Sequence, residues 1–172
     1  MRVGLAADHA GQNLKASLEK HLRAKGHEVR VYGPAPDPED DYPLIARVLA
    51  EALLAGEFDR AIFCCGSGIG PAVAANKIPG VRATVVDNEW SARDGVSHVD
   101  VNFLTLGERV IGDELAKSVV DAYLQAVVLG GRHERRRKQI EAMEQGQRPS
   151  SGETPGSRTT ADATQGMRRG VK

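Results

Sequence analysis

Short apolar runs alternate with amphipathic stretches along most of the chain. "RVGLAA" (2–7), "EVRVY" (28–32), "RAIFCC" (60–65), "VRATVV" (81–86) and "VNFLTLG" (101–107) each read as a strand, short and bounded by turn residues. Between them the period changes. "GQNLKASLEKHLRAKG" (11–26) sets Leu14, Leu18 and Leu22 at helical spacing, with Gly26 as its stop. "YPLIARVLAEALLAG" (42–56) is a predicted helix with Asp41 as cap and Gly56 as stop. "PAVAANK" (71–77) is a short helix with proline in its first turn. "EWSARDGVSH" (89–98) is helical despite Gly95, and "DELAKSVVDAYLQAVV" (113–128) and "RHERRRKQIEAMEQ" (132–145) close the series. "GPAPDPEDD" (33–41) is a loop, given its prolines and acidic cluster.

Strands that alternate with helices imply a parallel sheet covered on both faces. The expected fold is α/β, a Rossmann-like three-layer αβα sandwich with a five-stranded parallel sheet. The pattern stops near Gly146. Beyond it Gly, Pro, Ser and Thr dominate, so one domain over 1–146 and a disordered tail over 147–172 are expected.

Composition narrows the function classes. Basic and acidic residues are equal at 23 each among 172 residues, which removes a general electrostatic case for nucleic acid. The neutrality hides a split: the segment from Gln147 onward is +3 and the rest −3. Cys64 and Cys65 are the only cysteines, and neighbours in sequence rarely pair, so no disulfide framework is expected. "MRVGLAADH" carries no signal-peptide pattern and no apolar run is long enough to span a bilayer, so a cytoplasmic protein with no membrane partner is expected.

In an open parallel sheet, ligands bind beyond the carboxyl ends of the strands. There lie "ADHAG", "GPAPDPEDDYP", "CGSGIG", "DNEWS" and "GERV". Glycines at 66, 68 and 70 let backbone approach a ligand, and a helix follows, which suits an anion or a developing oxyanion. A tight turn that needs glycine only for its shape is the plainer alternative. The spacing is GxGxG before Pro71, not the dinucleotide GxGxxG, although Asp87 ends the next strand at a suitable distance. A Walker loop is absent too.

Cys65 sits where strand becomes loop, and proximity to a helix N-terminus predicts a lowered thiol pKa. Cys64, inside the strand, reads as a small core residue. Asp8 and His9 follow the first strand at the same edge, while His98 precedes the fifth strand and starts near the opposite end, from which its helix could bring it back toward the loops or to a partner subunit. No HxH, HxxxH or CxxC spacing suggests a metal, and no cofactor is expected. In "GRHERRRK", Arg132 and Arg136 are four apart on one helix face and suit a phosphate, whereas Arg135, Arg137 and Lys138 read as a solvated face.

With "DHAG" (8–11), "DDYP" (40–43), "CGSGIG" (65–70), "AANK" (74–77), "SAR" (91–93), "LGERVIG" (106–112) and "GGRHERR" (130–136) in order, the chain resembles the B-type ribose-5-phosphate isomerases. These sit within the wider sugar-phosphate isomerases that include the galactose-6-phosphate type, and the likeness covers roughly 1–146. It implies an aldose–ketose isomerase of a phosphorylated sugar, working through an enediol in the pentose phosphate pathway. It further implies Cys65 as the carbon base, Ser67 as its helper, His98 as the ring opener, and the backbone of Gly66, Gly68, Ile69 and Gly70 around the enediolate. Asp8 would bind sugar hydroxyls, Tyr42 would line the pocket, and His9, Arg109, Arg132 and Arg136 would hold the phosphate. A homodimer or homotetramer with shared sites is implied. One branch of that family places a glutamate just after the glycine loop, where this chain has Pro71. Many ribose-type members carry Asn where this chain has Val99, which leaves a four-carbon substrate such as erythrulose 4-phosphate as an alternative. A non-enzymatic nucleotide- or anion-binding module is the alternative from another class.

Overall fold

A computed structural model describes residues 1–33 and 41–148. Most of the loop expected over 33–41, Asp40 of the "DDYP" motif, and the tail beyond Arg148 lie outside the described residues.

The elements follow in strict alternation until the end: β1 (Arg2–Ala7), α1 (Gln12–Ala24), β2 (Glu28–Tyr32), α2 (Tyr42–Leu54), β3 (Arg60–Cys65), α3 (Ile69–Ala75), β4 (Ala83–Val85), α4 (Glu89–Val99), β5 (Phe103–Gly107), α5 (Asp113–Gln125) and α6 (Arg132–Glu144). All strand pairs are parallel, in the order β2-β1-β3-β5-β4. The five-stranded parallel sheet expected from the alternation is therefore present, with helices on both faces.

Period-two alternation assigns the layers. Val3, Leu5, Ile62, Cys64, Leu104 and Leu106 pack with Leu14, Leu18 and Leu22 of α1 and with the buried faces of α4 and α5. Ala6, Ala61, Phe63, Cys65 and Phe103 point the other way, onto α2 and α3. The two cysteines thus belong to opposite layers: Cys64 is sealed in one core, and Cys65 lies on the other face at the end of its strand.

Several local expectations shift. β4 keeps only three residues, as befits an edge strand paired on one side. α3 begins at Ile69, with Pro71 still inside its first turn. The Asp41 side chain makes no capping hydrogen bond; its carbonyl accepts from the N–H groups of Leu44 and Ile45 instead. Among the described residues no helix is long and apolar enough to cross a membrane.

Crossovers leave β1 in both directions across the sheet, so the ends of β1 and β3 flank the topological switch point. Asp8 follows β1 there, and Cys65 ends β3.

Candidate active site at the carboxyl edge

Three loops meet at this edge because two glycines permit it. A side chain at Gly11 would strike the Cys64 carbonyl and the Cys65 nitrogen, and one at Gly107 would strike the Ser67 backbone at 2.7–2.8 Å. Backbone bonds then stitch the loops: the Asp8 N–H to the Cys64 carbonyl (3.3 Å), Glu108 N–H to Cys65 carbonyl (2.8 Å) and Arg109 N–H to Gly66 carbonyl (3.1 Å). Glu108, which the sequence reading missed, braces the joint. Its carboxylate accepts from the Asn13 side chain (2.8 Å) and the Leu14 N–H (2.9 Å), capping α1 where Gly11 offers no side chain.

The result is a cleft of about 330 Å³ lined by Asp8, His9, Ala10, Cys65, Gly66, Ser67, Arg109 and Val110. Cys65 is 9% exposed and Asp8 3%. The Asp8 carboxylate accepts from the Ala10 N–H (2.9 Å) and from the Cys65 thiol. His9, Ser67 and Arg109 are exposed around the rim. The Arg109 guanidinium lies over Gly66, 3.6 Å from where a Cβ would stand. Ser67 Oγ accepts from the Ile69 N–H at 3.4 Å. The Tyr42 ring lies against Gly70, with no room for a side chain between them. Gly68 is buried beneath the loop, and Ile69 is exposed at the start of α3.

The thiol does not follow the helix-terminus expectation. Burial pushes the Cys65 thiol up, and its hydrogen bond to Asp8 and the Asp8 charge push the same way. The backbone N–H groups of Ser67 and Gly68 point at the sulfur and oppose the rise without reversing it. α3 has only seven residues, and its start supplies less than burial beside a carboxylate removes. Cys64 is displaced much further upward, by burial foremost, as an inert core thiol should be.

His98, Arg132 and Arg136 are elsewhere in the chain. Asp100, just past α4, pairs with Arg60 (3.5 Å) at the start of β3 and with Arg82 (2.7 Å) just before β4, which pins the end of α4 to the amino edge of the sheet. His98 stands on that last turn. Its ring stacks on His133 of α6 with centroids 4.0 Å apart and planes at 15°, and its Nδ1 meets Asp94 Oδ1 at 2.8 Å. Arg132 and Arg136 are exposed on α6 beside it. Arg137, expected on a solvated face, is partly buried instead: its guanidinium donates to the carbonyls of His98 (3.2 Å) and Leu129 (2.9 Å). Arg135 is exposed, and Lys138 pairs with Glu134 on the surface, as expected. A five-residue strand spans roughly 17 Å, so one chain holds the two groups at opposite edges. Among the described residues no group of acidic, histidine and cysteine side chains is arranged to hold a metal ion.

Comparison with known proteins bears on the family and the fold. The family model described as Ribose/Galactose Isomerase matches residues 3–140. Ribose-5-phosphate isomerase B of Escherichia coli (strain K12) is 42% identical over 144 residues, covering 84% of this chain and 97% of that protein. D-erythrulose-4-phosphate isomerase of Pectobacterium atrosepticum is 37% identical over 132 residues, 76% of this chain and 87% of that one. The solved ribose-5-phosphate isomerase B of Clostridium thermocellum superposes with a TM-score of 0.82 at 43% identity, over 85% of this chain and 99% of that chain. The family model over residues 3–140, with relatives of this identity and coverage, shows that the chain belongs to the ribose/galactose isomerase family of sugar-phosphate isomerases.

Proposed function

We propose that this chain interconverts ribose 5-phosphate and ribulose 5-phosphate, at a site that a second copy of the chain completes. The single observation that carries the chemistry is Cys65. Its sulfur sits at the floor of a cleft, faces the Asp8 carboxylate, and receives the N–H groups of Ser67 and Gly68.

The chemistry runs in two stages. Ring opening moves a proton from the anomeric hydroxyl to the ring oxygen as the C1–O bond breaks and the C1 carbonyl forms, and His98 of the second copy relays it. Cys65, as thiolate, then takes the C2 proton. The electron pair forms the enediolate, whose charge falls on O1, where the loop of Gly66, Ser67, Gly68, Ile69 and Gly70 offers polar contact. Protonation at O1, loss of the O2 proton and return of the carbon proton to C1 give the ketose. The Arg109 guanidinium and His9 at the rim, with Arg132 and Arg136 of the second copy, hold the phosphate. Asp8 and Tyr42 contact the sugar. No cofactor or metal enters these steps.

A shared site is supported by the separation of Cys65 from His98 within one chain. It is supported also by exposed apolar side chains beside the cleft, Tyr42 and Leu44 on α2 with Ile69 and Val73 on α3, which a second copy would cover. The charge of a sugar phosphate keeps it from crossing a bilayer, which favours a cytoplasmic setting for such an enzyme.

One observation favours a four-carbon substrate as second reading. Val99, where many ribose-type members carry Asn, packs against the core and offers no amide. Turnover on four-, five- and six-carbon aldose and ketose phosphates separates the readings. The five-carbon pair should lead; a clear preference for erythrulose 4-phosphate would replace it, and no turnover on any would remove the isomerase reading.

A further inference from the structure

Asp94 was not singled out in the sequence, yet its carboxylate meets the imidazole of His98. It sits four residues before His98 on α4, which places the two on one face, and Asp94 Oδ1 lies 2.8 Å from His98 Nδ1. A carboxylate only accepts, so this contact puts the His98 proton on Nδ1 and leaves Nε2 as the open acceptor. Two further features hold the ring plane. His133, 7% exposed, stacks on it at 4.0 Å, and its own Nε2 accepts from Arg132 Nε at 3.2 Å. The backbone beneath is tied by Arg137 to the His98 carbonyl and by the Leu129 N–H to the Ser97 carbonyl at 2.9 Å. Loss of solvent, with the positive charges of Arg132, Arg136 and Arg137 around it, pushes His133 below its ordinary value.

We infer that Asp94 is the positioning residue for ring opening: it fixes the His98 tautomer that has Nε2 free to take the anomeric proton and return it to the ring oxygen. This rests on the isomerase reading above. The relay balances within the sugar and one imidazole. The hydroxyl proton passes to Nε2, its electron pair becomes the carbonyl, the C1–O pair leaves with the ring oxygen, and that oxygen receives the proton from Nε2. In this role Asp94 touches neither substrate nor reacting atoms.

Ring opening and carbon deprotonation separate experimentally. Ribose 5-phosphate closes to a furanose, whereas ribulose 5-phosphate, with its C5 oxygen esterified, stays open and exposes its C1 protons to Cys65 directly. Two measurements on wild type and Asp94→Asn decide the matter. The first is turnover of ribose 5-phosphate against solvent deuterium exchange into ribulose 5-phosphate. The second is the ¹⁵N resonance pattern of His98, assigned by its loss in His98→Asn. Asp94→Asn should lower ribose turnover by about tenfold or more, since positioned acid–base groups contribute on the order of a hundredfold and upward. Exchange on the ketose should stay within about twofold, because the thiol is untouched. The His98 signals should leave the Nδ1–H pattern. Equal losses in turnover and exchange, or an unchanged tautomer, would overturn the role. Wild type inactive on every sugar phosphate would instead overturn the isomerase reading, and the tautomer would still decide Asp94.

Discussion

The two edges of the sheet are built by opposite means. At the carboxyl edge, glycine makes the site: Gly11 and Gly107 let three loops close to backbone contact, and the reactive groups Asp8 and Cys65 are almost buried. At the amino edge, side chains make it. Asp100 locks the end of α4 to Arg60 and Arg82, and α6 lays His133 against His98 while Arg132 and Arg136 stay exposed. The first arrangement suits a base that must work out of water. The second suits groups that reach into a neighbour's cleft. Under the proposed reading, each edge supplies half of what an aldose–ketose isomerisation with a phosphate handle requires.

Removing the centre of the carboxyl edge should have the largest effect. Cys65→Ala should abolish carbon–proton exchange, a loss of at least a hundredfold, while phosphate-dependent binding of the sugar survives. Near wild-type exchange in that variant would require another base. Mixing Cys65→Ala with Arg136→Ala sharpens the comparison further. Both are expected inactive or nearly so alone, yet random pairing across a two-fold interface restores one intact site per hybrid, roughly a quarter of wild-type activity. No recovery after proven subunit exchange would return both edges to a single chain.

At the amino edge the arginines should act on phosphate. Arg132→Ala and Arg136→Ala, with Arg109→Ala from the cleft, should each cost about 1.5–3 kcal/mol in binding phosphorylated sugars. Free sugars should be unaffected. Equal losses on both would make these side chains structural.

A smaller effect concerns the thiol's ionisation. With Cys65 as the proposed base its thiolate is the active form, and the thiol is held above an ordinary one, so kcat/KM should climb with pH through an ionisation above the ordinary thiol range. Asp8→Asn removes a carboxylate that accepts the thiol proton and repels the thiolate, so the pH at which iodoacetamide alkylates Cys65 should fall. Alkylation serves better than turnover here because Asp8 is also proposed to contact the sugar. A profile that stays put or moves upward would show that Asp8 does not set the thiol. Cys64 should not react in the folded protein.

What the sequence made legible follows the same division. The central strands β1, β3 and β5 were readable because parallel strands buried on both faces are short apolar runs, and position in the strand already separated Cys64 from Cys65. The cleft residues were readable because they cluster in the loops after β1, β3 and β5. The thiol's direction was not, because it depends first on how deeply the loops bury the sulfur and then on how closely Asp8 approaches from another strand. Glu108 caps a helix 94 residues away, which no local pattern announces. Asp94 could have been found from its spacing to His98, and Arg137 could not, since its partners are backbone carbonyls on other segments.

The smallest effect is expected from deleting residues 149–172. α6 ends completely before them. Gly146 adopts φ 71, the left-handed conformation that ends helices, and its N–H reaches the Met143 carbonyl at 3.0 Å. The Gln147 N–H reaches the Ala142 carbonyl at 2.8 Å, so both Schellman bonds are made and the last carbonyls of the helix are provided for. Glu144 holds this turn to the molecule by accepting from the Gly80 N–H at 3.0 Å. The family match itself stops at residue 140. The truncated chain should therefore keep its turnover within about twofold and its melting temperature within a few degrees. A large loss of turnover at unchanged melting temperature would assign the tail to the site, and with it a third contributor beyond the two edges.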